Sequence, residues 1–68
     1  MKISPSIEEI KEARLGLGIT QAQAAAIIES SWRTWQSYEI GARKIHHLIW
    51  RVWRIRAGLD KPASILKR

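Results

Sequence analysis

The sequence predicts an all-α domain of four or five helices, on two sets of observations. Ser6 with Glu9 and Thr20 with Gln23 form capping boxes, in which each pair of side chains satisfies the free amides of a helix start. Apolar residues then recur at spacings of three and four, as on one face of a helix. Because 68 residues can support only one core, we expect residues 1–68 to form a single compact domain.

The first helix is expected to begin after Pro5 and Ser6, with three acidic residues near its positive N-terminal end. Gly16 and Gly18 loosen the end of this helix and admit a turn into the next one. Its inward face is predicted to consist of four apolar residues: Ile7, Ile10, Ala13 and Leu17.

The second and third helices are predicted to lie close together, joined by a turn of about three residues. The second covers residues 21–28, and its alanines keep it slim enough for another helix to cross it closely. Ser30 and Ser31 each offer an N-cap for the third helix, and Gly41 offers a C-terminal stop with positive φ. Over about residues 20–40 this arrangement matches the helix-turn-helix unit, which places its second helix in the major groove of DNA.

Eight residues of this segment follow one family pattern in register and without a gap: Thr20, Gln21, Ala25, Ile28, Trp35, Tyr38, Glu39 and Gly41. The pattern resembles the helix-turn-helix of the phage Cro and lambda-repressor-like superfamily, and with the upstream helix it covers about residues 6–45. The family usually has Gly and then Val or Ile in the turn, where this chain has Glu29 and Ser30, so we expect a less tight turn. The resemblance implies a compact lambda-repressor-like domain that binds double-stranded DNA.

The resemblance also implies an ion pair between Arg14 and Glu39. In the family, an arginine seven residues before the Gln of the second helix commonly pairs with the Glu of the Glu-x-Gly motif, and Arg14 and Glu39 occupy those positions here. Such a pair fixes geometry more than it adds stability, because desolvation offsets much of the attraction. The alternative is an exposed Arg14 without a partner.

The third helix is predicted to turn Trp35 and Tyr38 inward and to leave a polar face outward. Arg binds guanine, and Gln binds adenine, through two hydrogen bonds each; Arg33 and Gln36 lie on one helix face because they are three residues apart. The predicted base-reading residues are Ser31, Trp32, Arg33, Gln36 and Ser37. Trp32 admits two interpretations, which are contact with a DNA sugar or thymine methyl group, and packing over the second helix as part of the core.

Phosphate contacts are expected around the same helix. The free amides of a helix start favour a phosphate, and basic side chains beside the groove position a protein on DNA without reading its sequence. The predicted phosphate-binding residues are Gln21, Thr34, Arg43 and Lys44.

Charge is distributed unevenly along the chain. The formal net charge is +6, of which residues 1–29 contribute −1 and residues 30–68 contribute +7. The basic part includes the third helix and the loop after it, and a basic face beside a groove-reading helix is typical of a nucleic-acid-binding protein. Without the helix-turn-helix, a solvated basic surface would be the better interpretation.

A fourth helix is predicted at about residues 46–57, with an apolar arc wider than a helix needs to cover one small core. The arc comprises Ile45, Leu48, Ile49, Val52, Trp53 and Ile55, and Trp50 extends it. Because part of this arc needs a partner, we expect a homodimer. Its interface is assigned to Ile49, Trp50, Trp53 and Ile55. The alternative is an exposed apolar edge, and residues 63–68 are expected to form either a short basic helix or a frayed tail.

Other classes of function have less support in the sequence. No nucleophile or acid–base constellation indicates an enzyme, and no cofactor or small-molecule ligand is indicated. Metal binding is disfavoured because the chain has no Cys and the adjacent His46 and His47 point in different directions on a helix. A cationic membrane-active peptide is a remote alternative, since such a peptide needs no helix caps. The N-terminus lacks the apolar run of a signal peptide, so we expect a cytoplasmic protein.

The whole chain is interpreted as a dimeric repressor that binds an inverted-repeat operator, in the simplest case that of its own operon. It is similar to the small regulators of phages and mobile elements, and among them to anti-CRISPR-associated autorepressors. A DNA-binding antitoxin, which holds a toxin through its fourth helix or its tail, has the same sequence features and is the alternative.

Overall fold

The computed structural model describes residues 4–60 of the 68-residue chain, and these residues form four α-helices and no strand. The helices are α1 (Ile7–Leu17), α2 (Gln21–Ile27), α3 (Trp32–Ile40) and α4 (His47–Arg56). The predicted all-α class is therefore confirmed for this part of the chain. The helix or tail predicted at residues 63–68 lies outside the described residues.

Each of the first three helices begins at a hydroxyl residue that the sequence indicates. The Ser6 hydroxyl accepts a hydrogen bond from the Glu9 amide, and the Glu9 carboxylate accepts one from the Ser6 amide. Thr20 and Gln23 form the same reciprocal pair at the start of α2, and the Ser31 hydroxyl caps α3. The predicted helix starts are thereby confirmed, and α2 ends one residue before its predicted end.

The connection between α2 and α3 consists of residues 28–31, four residues rather than about three. The Ser30 amide donates to the Ala25 carbonyl and the Glu29 amide to the Ala26 carbonyl, both at 3.0 Å, which is the hydrogen-bond pattern of a Schellman helix end. Glu29 has φ 56°, in the left-handed region that glycine usually occupies at this position. The chain therefore makes the left-handed turn with a residue that is strained by it.

The core lies where α3 packs against α1 and α2. It consists of seven buried apolar residues: Ile10, Ala24, Ala25, Trp35, Tyr38, Ile45 and Trp53. Ala24 and Ala25 are completely or almost completely buried, and their small side chains let α3 approach the backbone of α2. Trp35 and Tyr38 point inward as predicted, with an edge-to-face arrangement of their rings.

Three of the four tryptophans form a stack that attaches α4 to α3. The Trp53 ring stacks on Trp35, with ring centroids 5.1 Å apart, and on Trp50, at 5.3 Å. Trp53 is completely buried, and its indole N–H donates to the Ala24 carbonyl at 2.9 Å. The assignment of Trp53 to a dimer interface is therefore wrong, because this side chain forms part of the core of its own chain.

Trp50, which was also assigned to the dimer interface, takes part in the same intramolecular stack. It is half-buried, and the Arg54 guanidinium lies 5.7 Å from its ring centroid. Arg54 is held by Asp60 through two hydrogen bonds of 2.8 and 3.0 Å. The contacts of Trp50 within its own chain make it a poor candidate for the centre of an interface.

Two further details concern the edges of the core. Ile7 was predicted to face inward, but it is exposed; its Cδ1 lies 2.7 Å from the position that a Cβ would take at Gly41. The φ of 82° favours glycine at position 41, whereas the end of the exposed Ile7 side chain can shift to make room for a Cβ. No helix within residues 4–60 has the length and apolar content needed to cross a bilayer.

Candidate nucleic-acid interface

The side of α3 that points away from the core carries the residues predicted to read bases. We call these residues the outer face of α3; they are the exposed Ser31, Trp32 and Arg33 and the half-buried Gln36 and Ser37. The opposite side of the helix buries Trp35, Tyr38 and Glu39. The sequence-predicted division of α3 into a core side and an outward side is therefore present in the structure.

The serine and threonine hydroxyl groups of α3 and of its N-cap are hydrogen-bonded to the helix itself. Ser31 Oγ accepts from the Thr34 amide at 3.2 Å and lies 3.0 Å from Thr34 Oγ1. Ser37 Oγ donates to the Arg33 carbonyl at 2.9 Å. These contacts fix the side chains, and the Ser37 oxygen, which only donates, retains its acceptor capacity for a ligand.

The two long polar side chains of the outer face have no such contacts. Within residues 4–60, neither the Arg33 guanidinium nor the Gln36 amide forms a hydrogen bond, whereas the side chains of Thr34, Trp35, Ser37 and Glu39 do. Together they offer guanidinium and amide donors and an amide acceptor on one helix face. This set of groups has the chemistry needed to bind the edges of guanine and adenine.

The inner side of α3 ends in a buried carboxylate, Glu39, which ties the helix to α1 and α2. Arg14 donates to Glu39 through Nε at 2.5 Å and through Nη2 at 3.1 Å, so the ion pair that the family resemblance implies is present. Trp35 Nε1 and Gln21 Nε2 donate to the same carboxylate, the latter at 3.1 Å. Four donors from three helices therefore fix the orientation of α3.

The charge of this carboxylate is compensated within the cluster. Burial alone would raise the pKa of Glu39, but the hydrogen bonds from Arg14, Gln21 and Trp35 and the positive charge of Arg14 outweigh burial, so the pKa lies below its ordinary value. The hydrogen bond to Glu39 correspondingly raises the pKa of Arg14. Both groups therefore remain charged at neutral pH, and the cluster is an ion pair rather than a neutral one.

Gln21 has a contact that the sequence interpretation did not include. It was predicted to bind phosphate, and its amide donates to Glu39 from the first position of α2. The contact with Glu39 orients the Gln21 side chain. A primary amide has two N–H donors, so Gln21 retains one N–H group that can donate to a phosphate. The contact joins residues 18 apart in sequence, and its only sequence signal is that both belong to the same family pattern.

Arg43 and Lys44, the predicted phosphate-binding cations, are exposed in the connection between α3 and α4. The Arg43 amide donates to the Ser37 carbonyl at 3.3 Å, which folds this connection back onto the last turns of α3. The structure thereby places two cations next to the C-terminal end of the outer face of α3.

α4 exposes an apolar surface that differs from the predicted one. We call this surface the outer face of α4; it comprises Leu48, Ile49 and Val52, which are 53%, 40% and 42% exposed. With Ile28 and Tyr38 it borders an open groove of about 350 Å³. Of the residues assigned to the dimer interface, Ile49 belongs to this surface and Ile55 is half-buried beside it. The predicted apolar arc is present, but the tryptophan half of it faces inward.

Two other observations bear on the site. Ile40, at the end of α3, is 67% exposed, and no sequence feature singled it out. His46 and His47 stack with ring centroids 4.4 Å apart, and His46 Nδ1 accepts from the Leu48 amide. No group of three His, Cys, Asp or Glu residues among residues 4–60 is arranged to hold a metal ion.

No protein-family model matches this chain, and no curated protein matches it. Residues 4–60 form a small all-helical domain in which α3 presents polar groups without a hydrogen-bond partner among these residues and α4 presents apolar side chains.

Proposed function

We propose that the protein is a sequence-specific DNA-binding regulator of the lambda-repressor-like helix-turn-helix class. In this proposal α2, the connection of residues 28–31 and α3 form the helix-turn-helix, and α3 enters the major groove. The observation that supports it most directly is the outer face of α3. Its Arg33 and Gln36 carry donors and acceptors that no other group in residues 4–60 binds, while the inner side of the same helix is buried and hydrogen-bonded to two other helices.

The electrostatics support a polyanionic ligand. Residues 30–68 have a net charge of +7, and Arg43 and Lys44 are exposed beside the outer face of α3. Phosphate contacts of this kind supply most of the affinity that is independent of sequence, whereas contacts to base edges supply discrimination. The two kinds of group therefore have separate roles, with Arg33 and Gln36 reading bases and Arg43 and Lys44 holding the backbone.

The outer face of α4 supports a homodimer. A second copy that covers Leu48, Ile49 and Val52 would remove their apolar side chains from water, and a twofold axis through this contact would present two copies of α3 to an inverted repeat. Half-sites about 34 Å apart, one turn of DNA, are expected for this geometry.

In its biological role, the protein is proposed to act in the cytoplasm as a repressor of its own operon in a phage or mobile element. Within this proposal, an anti-CRISPR operon is the specific candidate. A footprint on the DNA just upstream of its own gene tests this role directly. A footprint that appears only when a second, co-purified protein is present would favour the antitoxin instead.

DNA binding is tested by titrating a palindromic duplex, taken from that upstream region, and a scrambled duplex of the same composition over a range of salt concentrations. With about three to five phosphates contacted per subunit, log affinity is expected to fall steeply with log salt, by about 0.9 per phosphate. The palindromic duplex should bind more tightly at every salt concentration. Equal affinity for the two duplexes would contradict a sequence-specific regulator, and no affinity for either would contradict DNA binding altogether.

A further inference from the structure

One of the four tryptophans differs from the other three in its surroundings. Trp35, Trp50 and Trp53 form the stack between α3 and α4, and the indole N–H groups of Trp35 and Trp53 are hydrogen-bonded inside the molecule. Trp32 takes no part in this stack and is 46% exposed. The sequence left open whether Trp32 is exposed to a ligand or packs in the core. The structure places it at the surface, outside the buried core.

Trp32 occupies the first position of α3, immediately before Arg33 and one turn before Gln36. In a helix-turn-helix, the residues at the N-terminal end of the second helix contact base edges. An indole ring at that position has a large apolar surface next to two side chains able to bind purines. In the major groove, the apolar group that a base presents is the C5-methyl group of thymine.

We propose that Trp32 reads the C5-methyl group of a thymine that neighbours the base pair contacted by Arg33. The proposal rests on the proposed DNA-binding function and adds to it the class of half-site, which must place a thymine methyl group within reach of the first turn of α3. The charge of the surroundings agrees with this ligand, because Arg33 on the same face and Arg43 and Lys44 in the following connection are exposed cations. A deoxyribose is also partly apolar, so the test must separate the methyl group from the sugar.

The test replaces thymine by uracil, which removes the methyl group and leaves the sugar and the Watson–Crick edge unchanged. A preferred duplex is first selected by the full-length protein from a random DNA library, and each thymine of one half-site is then replaced in turn. Removal of one buried methyl group corresponds to about a fourfold loss of affinity, and replacement in both half-sites to about fifteenfold. We expect this loss at one position per half-site for the unchanged protein.

Matched variants assign the effect to the side chain. In Trp32→Ala the same thymine-to-uracil replacement should change affinity by less than about twofold, since the apolar partner is absent. In Trp32→Leu, which keeps an apolar side chain, part of the sensitivity should persist. Ile40→Ala, which truncates an exposed apolar residue at the other end of α3, should retain the full effect. Circular dichroism of each variant checks that its helix content is unchanged.

The outcomes separate this inference from the function on which it rests. A library selection that enriches no sequence contradicts the proposed regulator itself. An enriched sequence without any uracil-sensitive position overturns the role of Trp32, and so does a sensitivity that persists undiminished in Trp32→Ala. If Trp32→Ala weakens all duplexes equally and no methyl group matters, then Trp32 packs on the sugar-phosphate backbone and reads no base.

Discussion

The outer faces of α3 and α4 have opposite chemistry, although both helices share one core. Besides the Trp32 ring, the outer face of α3 offers a guanidinium, an amide and hydroxyl groups, with cations next to it in the following connection. The outer face of α4 offers only the hydrocarbon side chains of Leu48, Ile49 and Val52. Hydrogen-bonding groups suit a polar, charged ligand, whereas an apolar surface is removed from water by another apolar surface. This difference agrees with the proposal that α3 binds DNA and that α4 binds a protein partner.

The inner sides of the two helices are attached to the core in different ways. α3 is held by a buried carboxylate that accepts hydrogen bonds from Arg14, Gln21 and Trp35. α4 is held by stacking of Trp53 and by hydrogen bonds from Trp53 and Arg56 to the Ala24 and Ile27 carbonyls of α2. A buried carboxylate with four donors fixes the rotation of α3, whereas the largest contact of α4 is the packing of a tryptophan ring. A substitution that removes the packing of α4 is therefore expected to have the largest effect on stability.

The largest effect is expected for Trp53→Ala. The substitution removes a completely buried ring from between two others and leaves the Ala24 carbonyl without its donor. Truncation of a buried aromatic side chain typically costs about 3–5 kcal/mol, and we expect a loss of this size in the free energy of unfolding, measured by denaturant titration. Trp50→Ala is the matched control, and we expect a smaller loss because Trp50 is only half-buried.

Trp53→Ala also tests whether Trp53 belongs to the core of its own chain or to a dimer interface. A side chain at a dimer interface, as the sequence suggested, would be replaced without loss of the monomer fold. A Trp53→Ala protein with unchanged helix content and stability, but reduced to a monomer, would therefore contradict the core position of Trp53.

The next largest effect is expected for Val52→Glu, which places a charge in the centre of the outer face of α4. We expect a folded monomer whose affinity for the operator is lower by about a hundredfold or more, because the gain from binding two linked half-sites is lost. Sedimentation gives the oligomeric state, and a binding titration gives the affinity.

Val52→Lys separates dimerisation from long-range electrostatics. A lysine also disrupts an apolar contact, but it adds a positive charge, which by itself would favour DNA binding. Both variants should therefore lose affinity if the face is the dimer interface. If Val52→Glu remains dimeric and binds DNA normally, the outer face of α4 is not the dimer contact. The proposed role of α4 as the helix that binds a protein partner is then wrong.

An intermediate effect is expected on the other helix. Arg33→Ala should reduce operator affinity by about 1–3 kcal/mol and relax the preference at one base pair per half-site.

Lys44→Ala should instead weaken binding to all sequences alike and reduce the slope of log affinity against log salt by about one unit for each phosphate that is no longer neutralised. Salt titrations on a set of single-base variants of the operator measure both quantities. Equal weakening of specific and non-specific binding by Arg33→Ala would reassign Arg33 to the phosphate contacts.

The orientation of α3 was predictable from the sequence, whereas that of α4 was not. The starts of α1, α2 and α3 were predicted correctly because each depends on side chains within three residues of the backbone that they cap. The inward side of α3 was also predicted, since the family pattern marks Trp35 and Tyr38 as core positions. Such features are local in sequence, and a pattern is sufficient to identify them.

The rotation of α4 was not predictable in this way. Its apolar residues cover more than one face, so several rotations would bury a comparable amount of apolar surface. Trp53 faces inward because its ring fits between Trp35 and Trp50 and its N–H reaches a carbonyl 29 residues earlier in the chain. The contact of Gln21 with Glu39 is of the same kind. Contacts between residues distant in sequence determined the details that the pattern left open.

The smallest expected effect concerns the connection that sets the position of α3 relative to α2. Glu29 has φ 56°, and a left-handed conformation costs a residue with a Cβ roughly 1–2 kcal/mol relative to glycine. Glycine also increases the conformational entropy of the unfolded chain, which offsets part of this gain. We therefore expect Glu29→Gly to stabilise the protein by about 0.5–1 kcal/mol. For a domain of this size, a thermal denaturation curve should show this as a rise in Tm of about 2–8 °C.

Two further substitutions at this position isolate the backbone contribution. Glu29 lies 4.0 Å from Arg56 with most of its side chain exposed, so the loss of its charge should matter little for stability. Glu29→Ala removes the same charge but keeps a Cβ, and we expect no stabilisation from it, while Glu29→Asn, a residue that tolerates the left-handed region, should fall between Ala and Gly. If alanine stabilises the protein as much as glycine does, the gain comes from removing the carboxylate, and the strain assigned to this turn is absent.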